Sequence, residues 1–89
     1  MKNKELLTAL ASDLKRIALG IQRKSYPMAD RFSQEALRWK SEIKTGELQH
    51  YMRTIIDNLD RILKGENSDR KAEDALMYST LIQNYVMYK

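Results

Sequence analysis

Ala75–Tyr88 reads ALMYSTLIQNYVMY and carries no charged side chain, in a chain where 31% of residues are charged. At 100° per residue it shows two apolar strips. One is Ala75, Ser79, Ile82 and Val86. The other is Met77, Leu81, Tyr85 and Tyr88, with Tyr78 between the two. Glu73, Thr80 and Asn84 leave only a narrow polar edge. A helix that is apolar nearly all round is buried on several sides. The stretch is therefore read as the central or interface helix of an all-α protein.

Working outward, Ser68–Asp69 supplies a helix start, with Asn67 or Ser68 as cap and Asp69, Glu73 and Asp74 placing negative charge near the N-terminus. This predicts a last helix over residues 69–88. Gly65 stops the preceding helix, predicted over 47–64. Its strip is Leu48, Met52, Ile55, Leu59 and Ile62, broadened by Tyr51, Ile56 and Leu63. Arg53–Asp57, Asp57–Arg61 and Asp60–Lys64 are opposite charges four apart on its outer face. Gly46 closes a second helix predicted over 27–44, with Thr45 able to cap the third. Met28, Phe32, Ala36, Trp39 and Ile43 are the second helix's apolar face. Pro27 fits a first helical turn, and the residue before a proline, Tyr26, is expected to be extended. The first helix is predicted over 3–23. Leu6, Leu10, Leu14, Ile17 and Ile21 step by three or four, and Leu7, Ala11 and Ala18 widen that face. Leu10, Leu14, Ile17, Phe32, Trp39, Ile55, Leu59 and Ile82 are the expected core.

Four helices joined by short connections imply antiparallel neighbours, so the expected fold is a small four-helix bundle, one domain over residues 1–89. Such a chain buries only a little over 60% of its unfolded surface, and pairing with a second copy is a common remedy for so thin a core. Cysteine is absent, which rules out disulfides and thiolate metal sites and suits the cytoplasm. The first residues, MKNKELLTALASDLKR, lack an apolar core because Glu5 and Asp13 interrupt them, so they do not read as a signal peptide. The uncharged C-terminal run is too short and too polar to span a membrane.

No catalytic constellation can be assembled. Glu47 and His50 form E-x-x-H, the spacing of carboxylate-bridged dimetal bundles, but His50 falls on the polar face with Asp57 and Arg61. It reads as a surface histidine, and neither metal nor cofactor is expected. No P-loop, G-x-S-x-G or Cys nucleophile is present, so the protein is not read as an enzyme.

Two surfaces remain. Tyr and Met are enriched at interfaces. Met77, Leu81, Tyr85 and Tyr88 are thus the expected protein interface, for a homodimer or a subunit of a larger complex. Charge suggests the alternative. The net charge is +4. Residues 1–44 hold ten Lys/Arg against five Asp/Glu, and residues 45–89 hold six against seven. Arg16 and Arg23 are seven apart on the first helix, as are Arg31 and Arg38 on the second. With one handedness of the hairpin all four converge on one anion- or nucleic-acid-binding groove; with the other they splay apart.

Overall fold

The computed structural model describes residues 2–88. They form four helices: α1 (Asn3–Gln22), α2 (Tyr26–Glu42), α3 (His50–Leu63) and α4 (Asp69–Met87), with a 3₁₀ turn at Thr45–Glu47. The bundle is antiparallel and measures 36 × 20 × 19 Å. A 20-residue helix such as α1 is about 30 Å long, so one helix nearly fills the long axis.

α1 is the central element, not α4. It lies between α2 and α4, and α3 stands diagonally opposite, bridging α2 and α4 at a greater distance. Leu6, Leu7, Leu10, Ala11, Leu14, Ile17, Ala18 and Ile21 are all buried, as their periodicity requires. Both neighbours approach α1 on small residues. α4 presents Ala72, Ala75 and Ser79, and α2 presents Ala29, Ser33 and Ala36. Ser79 Oγ donates to the Ala11 carbonyl at 2.7 Å inside the α1–α4 contact. That satisfies a polar group which would otherwise cost about 1–3 kcal/mol to bury. α3 fills the remaining gap with large side chains, Met52, Ile56, Leu59, Ile62 and Leu63.

α2 is rotated from its expected face. Ala29, Ser33 and Ala36 point inward, and Phe32 and Trp39 are only partly buried along the edge of the core. The physical reason is separation. Aromatic rings facing α1 squarely would hold the helices apart, whereas the alanines let backbones approach and leave the rings to seal the seam. Gly20 lies at a close approach of the two helices. A Cβ there would lie 3.1 Å from Ala29 N and 3.2 Å from the Ser25 carbonyl oxygen.

The turn between α1 and α2 explains that approach. Ser25 N donates to the Gly20 carbonyl at 2.7 Å and Lys24 N to the Ile21 carbonyl at 3.0 Å. This double closure is a Schellman motif, and it puts Lys24 in the left-handed region at φ 58. α2 then begins at Tyr26, so that residue is helical rather than extended. Pro27 sits in the first turn, where no hydrogen bond is lost.

α3 begins three residues later than expected, and two distant side chains hold the lead-in that contains the 3₁₀ turn. Asn3 Nδ2 donates to the Lys44 carbonyl, and Lys44 N donates to Asn3 Oδ1, both at 2.9 Å. Gln49 N donates to the Tyr85 hydroxyl at 3.2 Å. These long-range bonds keep the backbone from continuing a helix through Leu48, which is nevertheless buried. Among the described residues, Asp60 pairs with Lys40 of α2 at 3.3 Å and none of the three expected pairs along α3 forms. Ile55 is half-buried against the core and Tyr51 is exposed.

Ser68 caps α4 by accepting from Lys71 N at 3.2 Å. The Lys71 ammonium is itself buried and donates to the carbonyls of Leu63 and Gly65 at 3.2 and 3.1 Å. A cation placed on the last carbonyls of α3 meets the negative end of that helix. Burial lowers its pKa, partly opposed by Asp30.

Candidate functional site

Two faces of the bundle carry chemistry. The first lies along α1 and α2 and is built around Asp13. This residue occurs three after Leu10 and four before Ile17, so its side chain falls on the apolar stripe and is almost fully buried. Asp13 Oδ1 accepts from Arg16 Nη1 and Oδ2 accepts from Trp39 Nε1, each at 3.0 Å. The indole thereby finds the partner it needs at the core's edge. Burial pushes the Asp13 carboxyl above the usual range and nearby Glu35 adds to this, while Arg16 and Trp39 oppose it.

From that anchor the expected arginines can be placed. The Arg16 guanidinium sits over the Phe32 ring, 5.4 Å from its centroid, and Arg31 over the same ring at 5.6 Å. Arg38 sits over Trp39 at 5.3 Å and meets Glu42 at 3.9 Å. Arg31, Arg16 and Arg38 are thus brought onto one face, Arg31 joined to Arg16 through Phe32 and Arg16 to Arg38 through Asp13 and Trp39. Arg23 is exposed about two turns beyond Arg16, beside the α1–α2 turn.

The second face is the outer side of α4. Met77 is 50% exposed, Leu81 40% and Tyr88 83%. Tyr85, expected beside them, is instead buried at 7% exposure. Its ring meets Tyr51 edge-on at 5.6 Å, and its hydroxyl takes the Gln49 N–H already described. The correction has a geometric cause: Tyr85 lies on the flank of α4 that turns toward α3, which the helical wheel of α4 alone does not reveal. Tyr51 takes its place on the surface. Gln49, Tyr51, Leu81, Asn84, Tyr85 and Tyr88 line a surface notch of about 350 Å³. Leu76 and Met87 form a second exposed apolar rim on the opposite flank of α4, beyond Thr80 and Asn84.

His50 is exposed at the first position of α3. Among the described residues no group of three or more His, Cys, Asp or Glu side chains is arranged to hold a metal ion. Among them no helix is long and apolar enough to cross a membrane.

Asp13, Phe32, Trp39 and Tyr51 organise these faces, and the sequence carried a signal for one of them: a carboxylate set into the stripe of α1 must find partners. The others depend on which way α2 and α3 turn. The molecule is thus defined as a small antiparallel four-helix bundle with an arginine–aromatic face on α1–α2 and an uncharged face on α4. No protein-family model, no curated protein and no solved structure matches the chain.

Proposed function

We propose that the protein is a small helical interaction module that pairs with a second copy of itself through the outer face of α4. The observation that carries this is the exposed, uncharged surface formed by Tyr51, Leu76, Met77, Leu81, Met87 and Tyr88. These six side chains are between 39% and 83% exposed, and large apolar and aromatic groups of this kind are enriched at protein interfaces. Exposed apolar side chains clustered along one helix mark interaction sites more often than singly scattered ones do.

Charge leaves this face open to a like copy. Two molecules of net charge +4 repel wherever basic surfaces meet. From Ala75 to Tyr88 α4 has no charge to repel, and a two-fold contact needs only one self-complementary patch. The notch beside Leu81 offers a pocket for an anchor side chain of the other copy, the arrangement that concentrates binding energy. The cytoplasm, where a chain without cysteine loses nothing to reduction, is the compartment that fits this reading.

Sedimentation equilibrium tests it. The wild type should be dimeric at tens of micromolar. Met77→Glu with Leu81→Glu should give a monomer with unchanged helical circular dichroism, because both residues face solvent in the single chain. Tyr85 is unsuitable for this test because a charge there would enter the core. A monomeric wild type would remove the proposal.

A further inference from the structure

We infer that the α1–α2 face is a binding site for the phosphodiester backbone of nucleic acid, with Arg16 and Arg31 at its centre and Arg23 and Arg38 at its flanks. This goes beyond self-association through α4 and uses none of that surface.

The first support is preorganisation. Arg16 gives one N–H to the buried Asp13, and its guanidinium lies over Phe32. Its side chain is nonetheless half-exposed, so the remaining donors face outward on a group whose orientation is already set. Fixing a flexible side chain before the ligand arrives removes part of the entropic cost of binding. Arg31 is held over the same ring. Among the described residues it has no carboxylate within ion-pair distance, and neither has Arg23. Guanidinium groups held in plane are suited to bidentate contact with phosphate oxygens.

The second is the balance of charge. The acidic groups on this face are Asp13, Glu35 and Glu42. Asp13 is shielded from solvent, with both oxygens occupied by Arg16 and Trp39. Glu42 stands 3.9 Å from Arg38 at the far end. Glu35 is half-buried beside Asp13. Against these three stand four arginines and the exposed Lys24.

The third is spacing. Seven residues of helix advance about 10 Å, so Arg16–Arg23 and Arg31–Arg38 form two rows of similar repeat on antiparallel helices. A row of cations with a regular repeat matches a linear polymer of phosphates better than a single small anion. The contacts are to backbone charge, so binding should be insensitive to base sequence.

The test is fluorescence anisotropy with a labelled 20-nucleotide duplex and its single strand, between 50 and 300 mM salt. Wild type should bind, with log affinity falling by about 0.9 per log unit of salt for each duplex phosphate neutralised, and about 0.7 on a single strand. Arg16→Gln with Arg31→Gln should flatten the duplex slope by about two such increments. If loss of the Asp13 partner unfolds that variant, Arg23→Gln with Arg31→Gln disturbs no carboxylate and should do the same. Arg53→Gln with Arg61→Gln on α3 removes equal charge and should leave the slope unchanged. Three results would each overturn the inference: no binding at 50 mM salt, equal loss in the α3 variant, or competition by polyglutamate as strong as by oligonucleotide. The Met77→Glu/Leu81→Glu variant separates the two proposals, since failure to dimerise leaves the arginine face intact.

Discussion

Gly20→Ala sets two effects of opposite sign against each other. Within a helix, alanine is favoured over glycine by about 0.5–1 kcal/mol, so propensity alone makes the variant more stable. Packing argues the reverse. The added methyl would sit 3.1 Å from Ala29 N and 3.2 Å from the Ser25 oxygen, and only its third neighbour, Met28 Cγ at 3.4 Å, belongs to a flexible side chain. The two backbone atoms cannot swing aside. Ser25 N is held to the Gly20 carbonyl at 2.7 Å, and Ala29 N donates to the Ser25 oxygen at 3.1 Å as part of the first turn of α2. Relieving the contact therefore means moving α2 outward along the small-residue seam, which also loosens Ala29 and Ala36 against α1. Overpacking of this kind costs about 1–3 kcal/mol. With the propensity gain subtracted, the net destabilisation is about 0–2.5 kcal/mol. For a chain of this length that lowers the melting temperature by roughly 4–8 °C per kcal/mol. Urea unfolding followed by circular dichroism at 222 nm reads it directly, with the midpoint below wild type and the slope unchanged. A midpoint above wild type would refute the reasoning, since it would mean that α2 can yield at no cost and that glycine is not required for the approach.

Two further substitutions probe the same hairpin. Lys24→Gly should raise stability by about 1 kcal/mol, because Lys24 occupies the left-handed conformation that closes α1 and a glycine adopts it without strain; a lower urea midpoint would show that the lysine side chain contributes more than its backbone costs. Asp13→Asn tests the buried carboxylate through pH. The folded-state pKa of Asp13 is raised above its unfolded value of 3.8, so the folded form binds the proton more tightly. Its contribution therefore stabilises the fold progressively as pH falls through the folded pKa toward 3.8, and changes no further below that. Wild type and Asp13→Asn, unfolded in urea at a series of pH values from neutral to 4, should differ by this rising contribution; parallel profiles would show that Asp13 titrates as it does in the unfolded chain.

Much of the fold was local and therefore legible in the residues. The stripe Leu6–Leu10–Leu14–Ile17–Ile21 specifies both a helix and its buried face, because side chains three and four apart share one side whatever lies opposite. The Ser68 cap and the stop at Gly65 follow from hydrogen bonds and backbone restrictions spanning a few residues; a break near Pro27 was legible too, but the turn at Lys24 makes it and Tyr26 is helical, not extended. The small strip Ala75–Ser79–Ile82 was bound to face a close neighbour. What only tertiary structure decided involves partners distant in sequence. α1 is central because both α2 and α4 offer it small residues, and the uncharged composition of α4 alone pointed elsewhere. The rotation of α2 that moves Phe32 and Trp39 to the edge depends on how closely α1 tolerates it at Gly20. The start of α3 at His50 depends on Asn3 and Tyr85. Tyr85 is inside and Tyr51 outside because α3 lies on one particular flank of α4. The convergence of Arg16, Arg31 and Arg38 rests on the hand of the α1–α2 hairpin, which a linear pattern leaves open because both hands satisfy the same periodicity.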